Sequence, residues 1–142
     1  MALRWLMETH TLIADGFSLS LELNISEQDI KYPSNTIMNV SVKSESYSAI
    51  SSMDIDIKKF ALFSIGLKGM YDGLSGTAEF EETYGYHKFL KFISCKNGYI
   101  SVKGYLCDDT KDNELFFNNA FDQTFLKDFA DELYTGYSKY CT

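Results

Sequence analysis

Phe17-Ser18-Leu19-Ser20-Leu21-Glu22-Leu23-Asn24-Ile25-Ser26 alternates strictly between apolar and polar residues. Successive side chains of a strand point to opposite faces, so a period of two predicts a β-strand with one buried face. Residues 9–14 read as a strand as well, and the Asp15-Gly16 pair between the two is a type I′ hairpin signal. A two-residue turn there sets Ala14 opposite Phe17, Leu12 opposite Leu19 and His10 opposite Leu21, which gathers the apolar partners on one side.

Outward from this hairpin, residues 27–35 form a polar loop, and Met38, Val40 and Val42 alternate with polar neighbours as a third half-buried strand. The period then becomes helical: Ile57, Phe60, Ala61 and Leu67 share a stripe, Asp56 suits the N-cap, and Ile55 can staple onto Phe60. Three further strands are expected near 76–82, 86–95 and 99–107, with Asn97-Gly98 as a hairpin turn. A two-residue turn there pairs Ile93 with Val102, Cys95 with Ile100 and Phe89 with Leu106 as a core face. It leaves Leu90 against Tyr105 and Phe92 against Lys103 on a half-apolar face, either covered by another layer or open for docking. Residues 115–121 supply a last strand. Asp122 then opens a helix with Phe125, Leu126, Phe129, Ala130, Leu133, Tyr134 and Tyr137 on one stripe, and Phe121 can staple onto Leu126. The expected class is α+β: a mainly antiparallel sheet of about seven strands in hairpins, with two amphipathic helices near 56–71 and 122–137, in a single domain over 1–142.

The chain of 142 residues is 45% hydrophobic and 15% aromatic, far from the composition of disordered chains. A domain of this size buries roughly 68% of the surface its unfolded chain exposes, enough for one ordinary core. The net charge of -7 repels phosphate backbones, so no nucleic-acid partner is expected, whereas a basic protein would be attracted. Residues 1–12 lack the apolar run of a signal peptide, and no stretch reaches the 18 residues needed to span a bilayer. Cys95, Cys107 and Cys141 cannot all pair within the chain and have no metal-ligand spacing, which suits a reducing, cytoplasmic setting without a bound metal.

No catalytic constellation is visible. His10 and His87 stand in different hairpins without a motif, and both read as satisfied histidines at the margin of a core. Cys95 is expected on the core face and Cys107 on the opposite one, without a cation to make a thiolate of either. The acidic run from Asp108 to Glu114 lacks the glycine and terminal glutamate of a calcium loop and reads as a solvated hairpin loop. No glycine-rich phosphate loop opens a helix, so neither cofactor nor nucleotide is implied. The chain therefore reads as a binding protein and not an enzyme. Candidate partner contacts are the acidic residues Glu79, Glu81, Glu82, Asp108, Asp109 and Asp112 with the aromatics Tyr99 and Tyr105.

Four segments carry a resemblance: Asp56-Ile57-Lys58-Lys59-Phe60, Gly76-Thr77-Ala78-Glu79-Phe80, Asn97-Gly98-Tyr99-Ile100-Ser101-Val102-Lys103-Gly104 and Phe121-Asp122-Gln123-Thr124-Phe125-Leu126. In this succession, over roughly 9–137, the chain resembles the WapI-type family of bacterial immunity proteins. The resemblance implies a cytoplasmic antidote that binds and blocks a cognate polymorphic toxin, often a nuclease, and it carries over no interface residue. The alternatives are a small-molecule or peptide-binding module and a homo-oligomeric structural protein; a homodimer stays open under any of them.

Overall fold

A computed structural model describes residues 5–73 and 75–141; Met1–Arg4, the start of the segment read for a leader, lie outside it with Leu74 and Thr142. Four strands are followed by a helix, and the same order then repeats. The strands are β1 (Trp5–Ala14), β2 (Phe17–Ser26), β3 (Thr36–Ser44) and β4 (Tyr47–Ile55), leading into α1 (Ile57–Gly73). After them come β5 (Thr77–Glu81), β6 (Phe89–Ser94), β7 (Tyr99–Cys107) and β8 (Glu114–Asp122), leading into α2 (Lys127–Tyr137). Each set of strands forms its own antiparallel sheet, ordered β1-β2-β3-β4 and β5-β6-β7-β8. Over the described residues the architecture is α+β, with eight strands in two sheets. The strand that sequence reading left out is β4, where serines dilute the alternation.

The β1–β2 register is the expected one: Ala14 faces Phe17, Leu12 faces Leu19 and His10 faces Leu21. The turn that sets it is not type I′, because Gly16 has φ +71° while Asp15 keeps a negative φ. Type I′ needs both residues positive. In β2 the apolar members are buried and Ser18, Ser20, Glu22 and Asn24 line the outer face, as alternation requires.

The second sheet corrects the expected register by one residue. Asn97 and Gly98 do adopt the positive φ values, 66° and 77°, that an Asn-Gly turn needs. An extra residue is absorbed beside them, since the Cys95 N–H donates to Tyr99 O at 2.8 Å while Ser94 pairs with Ile100. Ile93 therefore faces Ser101, Phe92 faces Val102 and Phe89 faces Tyr105. A one-residue slip moves every side chain to the other face. Leu90 and Phe92 are buried, Phe89 and Ile93 are half-buried, Cys95 is exposed and Cys107 is buried, the reverse of the sequence expectation for both cysteines.

The core joins both sheets and both helices. Its densest part is aromatic: Phe63 packs on Phe80 and Phe92, with centroids 5.0 and 5.9 Å away, and Phe60 packs edge-on to Phe80 and Tyr137 at 5.5 and 5.3 Å. Phe17 of β2 stacks on Phe117 and Phe121 of β8, at 6.0 and 6.1 Å. Asp56 caps α1, its Oδ1 accepting from the Lys58 N–H at 3.0 Å. Buried Asn35 locks that cap, donating to Asp56 Oδ1 at 3.0 Å and accepting from the Ile57 N–H at 2.8 Å. Burial opposes the charge on Asp56, but the Lys58 N–H, Asn35 and the Lys58 ammonium outweigh it and hold its pKa below the ordinary 3.8. Asp122 also caps, but it caps a single 3₁₀ turn before α2, accepting from the Thr124 N–H at 2.9 Å. On the expected α2 stripe, Leu126, Phe129, Ala130, Leu133 and Tyr137 are buried, whereas Phe125 and Tyr134 are exposed.

Candidate functional site: an acidic and aromatic sheet end

Antiparallel pairing carries one row of side chains across the outer face of the second sheet: Glu81, Phe89, Tyr105 and Phe116. Phe116 at the edge is 73% exposed. Tyr105, expected to be exposed, is only 5% so, because the Phe116 ring covers it at 4.4 Å between centroids. The Tyr105 hydroxyl donates to Glu114 Oε1. Desolvation first, then the Glu114 carboxylate and Cys107, push the phenol's pKa well above its ordinary 10.0. The next row holds Glu79, whose carboxylate lies 3.6 Å from the Lys91 ammonium.

Two loops meet beside this face. Thr83–His87 connects β5 to β6, and Asp108–Asn113 connects β7 to β8. Tyr86 donates from its hydroxyl to Asp109 O at 3.3 Å, and the Lys111 ammonium stands 5.6 Å from the Tyr86 ring centroid. The first loop is held from within by Glu82. That carboxylate is buried, so it is not a surface contact as sequence reading had it: it accepts from the Tyr86 and Lys88 N–H groups at 2.9 and 3.1 Å and lies 3.5 Å from the Lys88 ammonium. Gly85 permits this closeness, because a Cβ there would stand 2.7 Å from Glu82 Oε1. Lys88, itself buried, donates to Ser51 Oγ at 3.2 Å and to Ser52 O, tying β4 to β6. The Ser51 hydroxyl in turn donates to Cys107 O at 2.7 Å.

Asp108 organises the second loop, accepting from Asn113 Nδ2 at 2.6 Å and the Asp112 N–H at 2.9 Å. The Asn113 amide is the chief reason its pKa falls below 3.8. Asp109 and Asp112 face solvent. Of the sequence candidates, then, the structure brings Glu79, Glu81, Asp109 and Asp112 to one exposed region and gives Glu82 and Asp108 structural roles within it. Tyr99 is exposed but begins β7, opposite Asp122, about 27 Å of strand from the acidic loop. Tyr84, Tyr86 and Phe116, all exposed here, are not among the sequence candidates.

The histidines divide. His87 is exposed, not at a core margin, and its Nδ1 lies 2.7 Å from Glu81 Oε1. His10 is buried, with Nε2 hydrogen-bonded to the Tyr137 hydroxyl at 2.6 Å. Glu132 Oε1 lies 3.0 Å from Nδ1 but off its hydrogen-bonding direction, so that nitrogen has proximity to a carboxylate without a bond. Burial raises the Tyr137 pKa, aided by Glu8. Among the described residues, no three His, Cys, Asp or Glu are grouped to hold a metal ion, and no helix is long and apolar enough to cross a membrane.

No curated protein matches the chain in sequence. Among solved structures, one titled crystal structures of Trypanosoma bruciei MRP1/MRP2 aligns over 97% of this chain and 90% of that one, at 10% identity and a TM-score of 0.45. The description that does match by sequence, over residues 11–141, is that of the immunity protein WapI-like family, and the chain belongs to that family.

Proposed function

We propose that the protein is a non-catalytic antidote, one domain over 1–142, that neutralises its cognate toxin by binding and occluding it. The partner is a basic toxin domain, a nuclease being the case best suited to so acidic an inhibitor. The carrying observation is the convergence of exposed Glu79, Glu81, Asp109 and Asp112 around exposed Tyr84, Tyr86 and Phe116. Aromatic anchors within a charged rim are the usual composition of a protein interface. A chain of net charge -7 also steers a basic partner onto itself, raising the association rate by roughly 10 to 10³. The family membership supports the immunity role.

The test is binding and neutralisation of the toxin domain encoded beside this gene, at low and high salt. The triple change Glu81→Gln, Asp109→Asn, Asp112→Asn is expected to slow association about tenfold at low salt and to converge on the native rate at high salt. Phe116→Ala is expected to weaken binding by about 30-fold, mainly through faster dissociation. Unchanged binding in both variants would move the interface elsewhere on the molecule. A toxin that is neither bound nor blocked would remove the occlusion mechanism.

A further inference from the structure

Two sheets leave four edge strands, and three of them are protected. The edge of β4 is occupied by the second half of the chain: the Thr83 N–H donates to Asp54 O at 2.8 Å, and Asp54 bridges Tyr84. β5 is five residues long and carries Glu79 and Glu81 on its exposed face. On β8 the Ala120 N–H is taken at 2.9 Å by Asn119 Oδ1, and the Asn119 amide reaches across to Gly16 O and Ser44 Oγ, both at 3.1 Å. Short length, charge and satisfied main-chain groups are the devices that keep sheet edges from pairing with other chains.

β1 has one charge, the exposed Glu8, and neither of the other two devices. It is ten residues long, contains no proline, lysine or arginine, and pairs with β2 without a bulge from Ala14 and Phe17 to Trp5 and Ser26. Its outer face shows Trp5 at 49%, Met7 at 66% and Ile13 at 71% exposure. Ala14 and Phe17 flank a two-residue turn and so form a hydrogen-bonded pair. The even residues of β1 therefore bond to β2, and Trp5, Met7, Thr9, Thr11 and Ile13 aim N–H and C=O at the free edge.

We propose that two copies of the chain pair through β1, antiparallel about a two-fold axis at Thr9, merging two four-stranded sheets into one of eight. An antiparallel edge is self-complementary, since the same groups donate and accept on both sides. The register follows from parity. Opposed residues share a face, so odd must meet odd, and the candidate centres are single residues. Centred on His10, Glu8 would face Leu12; centred on Glu8, two carboxylates would meet. Centred on Thr9, Glu8 faces the other copy's His10, Leu6 faces Leu12, Trp5 faces Ile13 and Met7 faces Thr11. Centring on His10 also opposes apolar residues, Met7 to Ile13 and Leu6 to Ala14. Of the three centres, however, only Thr9 sets the strand's one carboxylate, which lies 3.5 Å from its own His10, opposite the histidine of the other copy, a cross-strand pair of the kind that stabilises a sheet. The Thr9 register also closes about ten main-chain hydrogen bonds, two for each of the five outward residues. The net charge does not forbid the contact, because Glu8 is the one acidic residue in β1 and the acidic loops lie on the other sheet.

Sedimentation velocity of the full chain over a range of concentrations tests this. The native protein is expected to form a concentration-dependent dimer. Thr9→Pro removes the central donors from both copies without touching the β1–β2 ladder and is expected to raise the dimer dissociation constant at least about tenfold. Thr9→Lys, which leaves the backbone intact, is expected to do the same by setting like charges across the axis. Both should keep the native circular dichroism spectrum. With Cys95 and Cys141 replaced by serine, Thr9→Cys should crosslink into a covalent dimer with a short thiol-reactive linker faster than Ile13→Cys does. A native chain monomeric throughout, or a dimer indifferent to both Thr9 variants, overturns the proposal. A monomer that loses toxin binding on Thr9→Pro also overturns it, and gives the edge to the toxin instead.

Discussion

The two halves of the chain share an element order, four strands and a helix, yet one half declares its register in the sequence and the other conceals it. In the first half, β2 offers apolar residues on one face and Ser, Glu and Asn on the other, so a single register buries anything. In the second, β6 reads Phe89-Leu90-Lys91-Phe92-Ile93, and either parity puts two apolar side chains inward. The choice passes to the turn, where one residue more or fewer reverses every face. Alternation thus fixes which residues share a face, and in β6 it does not state which face is the core; the count through the turn does. The largest effects should fall where that count decides. Phe92→Ala is expected to cost about 3–5 kcal/mol and Ile93→Ala about 1 kcal/mol or less, measured by urea unfolding. A two-residue turn at Asn97-Gly98 would reverse that order. In β2 the contrast needs no such arbitration: Leu21→Ala should cost about 2–5 kcal/mol, and Glu22→Ala on the outer face within about 0.5 kcal/mol.

Legibility follows the same line. The β1–β2 pairing, the Asp56 cap and the buried stripe of α2 are local patterns and stand in the sequence. β4 does not, because Ser51 occupies an inward position that its bonds to Cys107 O and the Lys88 ammonium explain, while Ile50 faces out. Among candidate contacts, the exposure of Asp109 and Asp112 follows from a polar loop. Glu82 looks identical to Glu79 and Glu81 in sequence, but its role depends on N–H groups that the Thr83–His87 turn curls back toward it. The cover of Phe116 over Tyr105 likewise comes from the β7–β8 register, which no local pattern states.

A middle-sized effect separates the two helix starts. Asp56 is buried and locked by Asn35, whereas Asp122 is exposed and caps only a 3₁₀ turn. Asp56→Ala is expected to cost about 2 kcal/mol, at the upper end for a lost cap, with Asp122→Ala the milder of the pair. Because the folded-state pKa of Asp56 is lowered, its contribution is complete above the unfolded value of 3.8 and fades as pH falls through the lower folded value. Asp56→Asn should therefore flatten the acid limb of the stability curve in that range and leave its slope near neutrality unchanged, which denaturant midpoints taken across pH would show.

The smallest effect tests whether the extra residue at the β6–β7 turn sets the register or merely accompanies it. Asn97 and Gly98 already hold the positive φ values of a two-residue turn, and Cys95 already bonds to Tyr99 O. Deleting Lys96 would leave Cys95 and Tyr99 flanking Asn97-Gly98 directly, with Ser94 still opposite Ile100 and Phe92 opposite Val102. The core then has no reason to move, and the midpoint of urea unfolding should shift by no more than about 1 kcal/mol, the scale of a turn substitution that the backbone already accommodates. If the deletion unfolds the protein, or makes Ile93 the costly position and Phe92 the cheap one, the turn dictates the pairing and the core follows. If the Phe92 and Ile93 costs keep their order, the buried aromatic cluster dictates it, and the added residue is the slack by which an Asn-Gly turn is fitted to a register chosen elsewhere.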